Sequence, residues 1–233
     1  MAVLYLIPNL LGDTPWQQVL PALVPEEVGS LSCFIAEDVR NARRFLKKLI
    51  PDADISAFRF FELNQHTSDQ EKAGFLKPLL EGTDMGLLSE AGCPGVADPG
   101  AEMVRLAHRH HCRVVPLVGP SSLLLALMAS GLNGQQFAFV GYLPVKSGER
   151  VRRILEVERE GTTGNQTQIF IETPYRNNAL LRDLVRVCHP STMLCVAAGL
   201  TTPAEMIKTM PISEWRQNLP ELDKIPAIFL LGR

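Results

Sequence analysis

A buried strand that runs through a loop of small residues into a helix is the feature that most constrains the fold of this chain. Residues 86–100 read GLLSEAGCPGVADPG, and a helix-like segment follows at 101–106. Glycine has no Cβ, so a ligand can approach the backbone closely, and proline fixes the course of the loop. Open α/β sheets bind their ligands at loops that follow the carboxyl ends of strands. The segment is therefore either a ligand loop or a tight connection, and its local pattern favours neither.

Strands and helices alternate along the first half of the chain, which is typical of an α/β domain with a mainly parallel sheet. The apolar runs predict strands at 3–7, 31–36, 57–60, 84–88 and 113–117. We expect Thr14 to cap a helix that starts at Pro15, and Asp38 to cap the next helix. Ser68 with Glu71 three positions later is a capping-box signature for a further helix.

The second half differs in character. It predicts helices at 148–159 and 176–187, and strands at 137–140, 168–172, 193–198, 205–209 and 227–231. The turn around Pro203 indicates a hairpin, so we expect a mixed sheet. The break at 118–122 sets our predicted boundary between two α/β domains, 1–117 and 118–233, with a cleft between them.

Composition and short motifs exclude several classes of protein. The net charge of −2 argues against a protein wrapped in nucleic acid, although it divides into −4 for residues 1–116 and +2 for 117–233. Five cysteines without a CxxC pair predict a reducing cytoplasm and no metal site, and the apolar start is too short for a membrane span. The GxGxxG, GxxxxGK[ST] and GxSxG fingerprints are absent from the sequence.

Six segments, in their order along the chain, resemble the tetrapyrrole (corrin/porphyrin) methylase superfamily. They are LYLIP at 4–8, AEDVR at 36–40, SEAGCP…DPG at 89–100, VGPSS at 118–122, FVGYLP at 139–144 and ETPYR at 172–176. Within the superfamily, the chain is most similar to the ribosomal RNA small-subunit methyltransferase I branch, which methylates a cytidine 2′-hydroxyl in 16S RNA. The resemblance extends over nearly the whole chain, about residues 3 to 231.

The resemblance implies a methyltransferase that binds S-adenosyl-L-methionine in the cleft between its two domains, and a homodimer. It also implies RNA or the small ribosomal subunit as the partner. The cofactor contacts that it implies are Pro8, Leu11, Ser89, Ala91, Gly92, Cys93, Pro94, Val96, Ser121, Ser122, Glu172, Thr173, Ala198, Gly199, Pro226 and Ala227.

The methyl acceptor and the catalytic base stay open at this stage. Glu90, Asp98 and His66 are candidate bases for a 2′-hydroxyl, and Asp98 is equally well placed to cap a helix.

The chain also departs from the RNA-methylating pattern. It reads AGLTT at 198–202 where that branch carries charged residues, and it ends at Arg233 without the usual further region. The lack of a strong basic field makes a tetrapyrrole or other small molecule an alternative acceptor. The missing charged residues at 198–199 support a third interpretation, a cofactor-binding protein without catalysis. A basic run near 146–153 either meets phosphate or forms a solvated helix face.

Overall fold

The computed structural model describes residues 2–64 and 66–233. The chain divides into two compact units, Met1–Ser121 and Ser122–Arg233. The predicted boundary after residue 117 falls just before the end of the first unit. Each unit is built on its own sheet, and the two are described separately.

The first unit contains a parallel sheet of five strands among the described residues, in the order β3-β2-β4-β1-β5. The strands are β1 (Val3–Ile7), β2 (Cys33–Ala36), β3 (Arg59–Glu62), β4 (Met85–Leu88) and β5 (Arg113–Pro116). Every pairing between them is parallel, which confirms the predicted sheet. The central strands β1, β2 and β4 are the most apolar, as expected for strands covered on both faces.

Helices cover both faces of this sheet. Those of the first unit are α1 (Leu23–Gly29), α2 (Val39–Leu49), α3 (Asp69–Phe75), α4 (Lys77–Leu80) and α5 (Gly100–Arg109). The buried side chains of α1 and α2 pack with Phe34 on one face, and those of α4 and α5 pack with Ile35 on the other. The short helix α4 was not predicted from the sequence.

Two of the predicted caps are confirmed and one is wrong. The Asp38 side chain accepts a hydrogen bond from the Asn41 N–H, and Ser68 with Glu71 forms the complete capping box. No helix starts under a Thr14 cap, because only a 3-10 turn at Trp16–Gln18 follows it and α1 begins at Leu23. Pro21 explains the difference, since a proline inside a helix removes a hydrogen bond and clashes with the preceding turn.

The second unit contains a mixed sheet of five strands, again among the described residues, in the order β6-β7-β10-β8-β9. The strands are β6 (Phe137–Tyr142), β7 (Thr167–Ile171), β8 (Met193–Ala198), β9 (Met206–Pro211) and β10 (Ala227–Gly232). β8 and β9 pair antiparallel, which confirms the predicted hairpin, while β6 and β7 are parallel. The fold is thus two α/β units, the first parallel and the second mixed.

Four helices belong to the second unit in the described part of the chain: α6 (Ser122–Ser130), α7 (Ser147–Gly164), α8 (Asn177–Val187) and α9 (Ile212–Trp215). α7, α8 and α9 pack with Phe170 and Phe229 in one core, whereas α6 contacts β8, β9 and β10. The single-turn helix α9 was not predicted.

The basic run at the start of α7 is not an open phosphate site. Arg150 is buried, and its guanidinium donates to Asp183 Oδ2 from Nε at 2.9 Å and from Nη2 at 2.6 Å. Arg153 donates to Glu156 and Glu160, and Lys146 lies 3.5 Å from Glu149. Of the run, Arg152 alone is exposed and unpaired within the described residues. The interpretation of this run as a phosphate contact is therefore wrong for Arg150 and unsupported for its neighbours.

Candidate functional site

At the carboxyl edge of the first sheet, the connections that follow two neighbouring parallel strands lead to opposite sides. β1 continues to β2 on one side of the sheet, and its neighbour β4 continues to β5 on the other side. Such a switch point opens a crevice outside the strand ends, and open α/β sheets bind ligands there. The loop at 89–100 leaves β4 at this point, which favours a ligand loop over a mere connection.

Asn9 joins the loops that follow β1 and β4. Its Nδ2 donates to the carbonyls of Ser89 at 2.9 Å and Glu90 at 3.2 Å, and its Oδ1 accepts the Leu10 N–H at 2.8 Å. Its backbone also exchanges two hydrogen bonds with Gly92, at 2.9 and 3.2 Å. The buried Asn9 thus holds both loops in one arrangement. Sequence reasoning missed this residue.

Gly92 stands where the loops after β1, β4 and β5 converge. Its φ is +68°, a backbone conformation that residues other than glycine rarely adopt. An added Cβ would lie 3.2 Å from Leu11 and 3.4 Å from the Pro120 carbonyl oxygen. The adjacent Cys93 Sγ lies 3.5 Å from the same oxygen. Three of the predicted contacts, Leu11, Gly92 and Cys93, are therefore brought together within the first unit.

The remaining predicted residues of the 89–100 loop differ in what they present. The Ser89 hydroxyl is turned inward and lies 3.0 Å from the Gly92 carbonyl, so its proton is used within the loop. Pro94 is buried, whereas Ala91 and Val96 are exposed. The loop therefore offers small apolar side chains and backbone groups, which suit a flat apolar ligand.

Asp98 supports the loop from within. Its Oδ1 accepts the N–H groups of Gly95 and Gly100, both at 2.8 Å, and so ties the turn to the first residue of α5. The formal N-cap is Pro99, one residue later than the predicted cap. Burial raises the pKa of Asp98, and the two N–H groups offset part of that rise. This geometry assigns the carboxylate to loop structure.

Replacing Asp98 by asparagine tests this assignment. Because the folded-state pKa is raised, the carboxyl group favours folding below about pH 4, and this contribution is lost as the pH rises through the raised pKa. Asp98→Asn keeps the acceptor and removes the charge, so we expect its unfolding free energy, measured by urea titration, to depend less on pH than that of the wild type. Methyl transfer should stay within about threefold of wild type, since only loss of a general base costs about 100-fold or more.

A fall in kcat of about 100-fold for Asp98→Asn, with cofactor affinity retained, would instead assign the base to Asp98. Asp98→Ala serves as the control. It removes the acceptor of two N–H groups, and we expect it to be destabilised at every pH by about 1–3 kcal/mol.

The other two candidate bases lie in different surroundings. Glu90 is exposed on the loop, and its Oε2 accepts from Asn41 Nδ2 at 2.7 Å. His66 follows the edge strand β3, and β2 lies between that strand and β4. Burial raises the pKa of Glu37, and the nearby carboxylates of Glu90, Asp98 and Asp38 raise it further. Acidic groups therefore gather near the ends of β2 and β4, with Glu90 the exposed member on the loop itself.

The predicted residues of the second unit meet at one edge of its sheet. β10 runs antiparallel to β7 and β8, so its start lies beside their ends, with Ala227 paired to Ala198. The Gly199 N–H donates to the Pro226 carbonyl at 2.9 Å. Gly199 has a φ of +60°, and an added Cβ would lie 3.0 Å from the Ala204 carbonyl oxygen.

Buried polar atoms at the same edge lack partners among the described residues. Glu172 Oε1 accepts from Arg176 Nη2 at 2.6 Å and from the Thr173 N–H at 2.7 Å, and the Glu172 side chain is 0% exposed. Its Oε2, Arg176 Nε and Asn177 Oδ1 are buried without a partner. Buried groups of this kind are rare in native proteins, and local strain, a functional role, an ion or ordered water accounts for them. The sequence pointed to Glu172 and Thr173 but not to Asn177.

Comparisons with known proteins agree with this architecture. Residues 27–215 match the family model described as Tetrapyrrole (Corrin/Porphyrin) Methylases. "Ribosomal RNA small subunit methyltransferase I" of Vibrio cholerae is 33% identical over 91% of this chain and 69% of its own length. The protein of the same name from Escherichia coli O157:H7 is 33% identical over 91% of this chain and 70% of its own length.

Solved structures show the same fold at lower identity. The methyltransferase CobJ is 16% identical with a TM-score of 0.65, and the match covers 100% of this chain and 93% of CobJ. A uroporphyrin-III C-methyl transferase from Thermus thermophilus, complexed with S-adenosyl homocysteine, is 19% identical with a TM-score of 0.57. That match covers 100% of this chain and 98% of the other.

Together with this fold, the matched relatives define a methyltransferase. The chain belongs to the tetrapyrrole (corrin/porphyrin) methylase family.

Within residues 2–64 and 66–233, no group of three or more His, Cys, Asp or Glu side chains is placed to hold a metal ion. All five cysteines are free. None of the described helices is both long and apolar enough to cross a membrane.

Proposed function

We propose that this methyltransferase acts on RNA and transfers the methyl group to a ribose 2′-hydroxyl of small-subunit ribosomal RNA. The observation that carries the proposal is the 33% identity, over 91% of the chain, to two proteins named for ribosomal RNA small subunit methylation.

The residues at the two sheet edges fit S-adenosylmethionine. In the first unit, Gly92 lets the loops after β1, β4 and β5 approach one another closely, and exposed apolar groups such as Val96 supply a wall for a flat adenine. In the second unit, the unpartnered Glu172 Oε2 is an acceptor for a donor of the cofactor. The proposed contacts are Pro8, Leu11, Ser89, Ala91, Gly92, Cys93, Pro94, Val96 and Ser121 in the first unit, and Ser122, Glu172, Thr173, Ala198, Gly199, Pro226 and Ala227 in the second.

The cofactor supplies a methyl group already activated on its sulfonium. The chain has to hold the acceptor oxygen in line and to exclude water. The hydrogen bonds of Asn9 and Asp98 suit this role because they hold the loop at 89–100 in one arrangement before any ligand binds. Glu90 is the proposed proton acceptor, since its carboxylate is exposed on the loop whereas that of Asp98 is tied to Gly95 and Gly100.

Transfer of labelled methyl groups tests the proposed acceptor. The purified protein is incubated with labelled S-adenosylmethionine and, in parallel, 30S subunits lacking the modification, naked 16S RNA or a small-molecule extract. We expect label in the 30S or RNA samples, recovered as a 2′-O-methylated nucleoside by digestion and mass spectrometry. Label confined to the small-molecule extract would contradict the proposal.

Two observations support a second candidate for the methyl acceptor, a tetrapyrrole or another small molecule. The fold matches CobJ and a uroporphyrin-III methyltransferase, and the segment 198–202 lacks the charged residues expected of the RNA-methylating branch. Tight cofactor binding without transfer to any acceptor would favour a cofactor-binding protein without catalysis.

We also propose a homodimer, which the family resemblance implies, and a cytoplasmic location, which the cysteine usage predicts. Sedimentation of the purified protein tests the first.

A further inference from the structure

The helix α2 carries a strongly basic exposed face. Between Val39 and Leu49 the chain has no Asp or Glu, and five of the eleven Lys and Arg residues of the first 116 positions lie here. The exposed cations are Arg40, Arg43, Arg44, Lys47 and Lys48. At 3.6 residues per turn they span roughly 140° of the helix circumference. The opposite side of the helix is buried in the core.

Three of these cations form a row that is open to a ligand. Arg40 and Arg44 have no hydrogen-bond or ion-pair partner within the described residues. Lys48 lies 3.3 Å from Asp13 in a pair whose side chains are 64% and 97% exposed, a geometry that contributes little stability. We call Arg40, Arg44 and Lys48 the α2 stripe. It extends over about 12 Å of helix, the length of a few phosphates in a nucleic-acid strand.

The other two cations have local roles. The Arg43 guanidinium lies 5.1 Å from the centroid of the Phe60 ring. Lys47 Nζ donates to the carbonyl oxygens of Pro51 and Ala53, just beyond the helix. They are therefore left out of the stripe.

An aromatic pocket lies at the Lys48 end of the stripe. It has a volume of about 460 Å³, and its lining includes Leu10, Trp16, Phe45 and Lys48. Trp16 is partly exposed and lines this pocket. Proteins recognise unpaired RNA bases by stacking them on aromatic rings beside a cationic groove. We call this cavity the Trp16 pocket.

Both features adjoin the loops of the cofactor site. α2 starts directly after β2, and its Asn41 is hydrogen-bonded to Glu90 on the loop that follows β4. Leu10 of the pocket lies between Asn9 and Leu11 in the loop that follows β1. An RNA strand that lies on the α2 stripe therefore passes close to the end of β4.

We propose that the α2 stripe and the Trp16 pocket bind single-stranded RNA that flanks the methylated nucleotide, the stripe through phosphates and the pocket through one base. The inference rests on the proposed function. A membrane surface fits less well, because the apolar side of α2 is buried and leaves nothing to insert. The acidic residues Glu37, Asp38 and Glu90 lie at the start of α2, and Asp13 lies beside Lys48 at the other end, so a bound phosphate has to displace Asp13 from Lys48.

Binding of a fluorescent 12-nucleotide RNA, measured by anisotropy at several KCl concentrations, tests the inference. The variant Arg40→Gln/Arg44→Gln/Lys48→Gln should bind at least about tenfold more weakly at low salt. Its plot of log K against log salt should be shallower by about two, since each phosphate contact contributes about 0.7 on single strands. Trp16→Leu should weaken binding about tenfold with an unchanged slope, because stacking does not depend on salt.

The matched control is Lys77→Gln/Arg105→Gln/Arg109→Gln, which removes the same charge from exposed positions on α4 and α5. It should stay within about twofold of wild type. Calorimetry with S-adenosylhomocysteine checks that every variant keeps its cofactor affinity.

The outcomes separate this inference from the proposed function. If the wild type neither binds nor methylates RNA, both fail. If the wild type methylates RNA and the stripe variant binds like the control, the inference is overturned while the proposed function stands. If the stripe variant loses only binding to vesicles of anionic lipid, the surface serves a membrane and the inference is equally overturned.

Discussion

Replacing Asp183 by alanine should lower the free energy of unfolding by about 3–5 kcal/mol, because it leaves a buried guanidinium without its partner. Arg150 and Asp183 have side chains only 7% and 11% exposed and meet at 2.6 Å. Asp183 Oδ1 also accepts from Arg186, whereas Arg150 Nη1 keeps only the Val145 carbonyl, at 2.9 Å, once Asp183 is gone. Urea denaturation followed by circular dichroism measures the change.

The double variant Arg150→Met/Asp183→Leu is the control for this prediction. Removing both charges leaves no unpaired ion, and well-packed apolar replacements of buried pairs are often neutral or stabilising. We expect it to be at least about 2 kcal/mol more stable than Asp183→Ala. Equal destabilisation of the two variants would show that packing, and not the unpaired charge, sets the cost.

Replacing Asn9 by leucine should give the largest loss of cofactor affinity. The change removes the two donors to the Ser89 and Glu90 carbonyls and the acceptor of the Leu10 N–H. Each buried group left unsatisfied costs about 1–3 kcal/mol, and the loops after β1 and β4 are no longer held in one arrangement. We expect affinity for S-adenosylhomocysteine, measured by calorimetry, to fall at least about tenfold.

Asn133 offers a matched control in the second unit. Its Nδ2 donates to the Asn165 carbonyl at 2.6 Å and its Oδ1 accepts two N–H groups, so it also braces a loop, through hydrogen bonds more exposed than those of Asn9. It lies near the start of β7, the opposite end of that strand from Glu172. Asn133→Leu should reduce stability while cofactor affinity stays within about twofold. Equal loss of affinity in both variants would show that Asn9 acts through general stability alone.

Much of the fold could be predicted because its strands are local patterns. The apolar runs marked every described strand to within a few residues, and the Pro203 turn indicated the antiparallel pair β8 and β9. The predicted helix at Pro15 is wrong because Pro21 interrupts the segment, and α1 begins only at Leu23. The fold class followed from the alternation of elements, which needs no tertiary information.

The candidate site was only partly predictable, because its supports join distant positions. Asn9 meets Glu90 across 81 positions and Arg150 meets Asp183 across 33, so no local pattern could show that one braces a loop and the other is buried. The basic face of α2 was predictable from the spacing of its cations. Only the structure shows that Arg150 of the run at 146–153 is buried against Asp183, while Arg40, Arg44 and Lys48 of α2 are exposed.

The proposed S-adenosylmethionine site at the loops after β1 and β4 is tested most directly by calorimetric titration with S-adenosylhomocysteine. We expect one cofactor bound per chain, with affinity that falls at least about tenfold in Asn9→Leu and stays near wild type in Asn133→Leu. Absence of binding by the wild type at millimolar S-adenosylhomocysteine would contradict it.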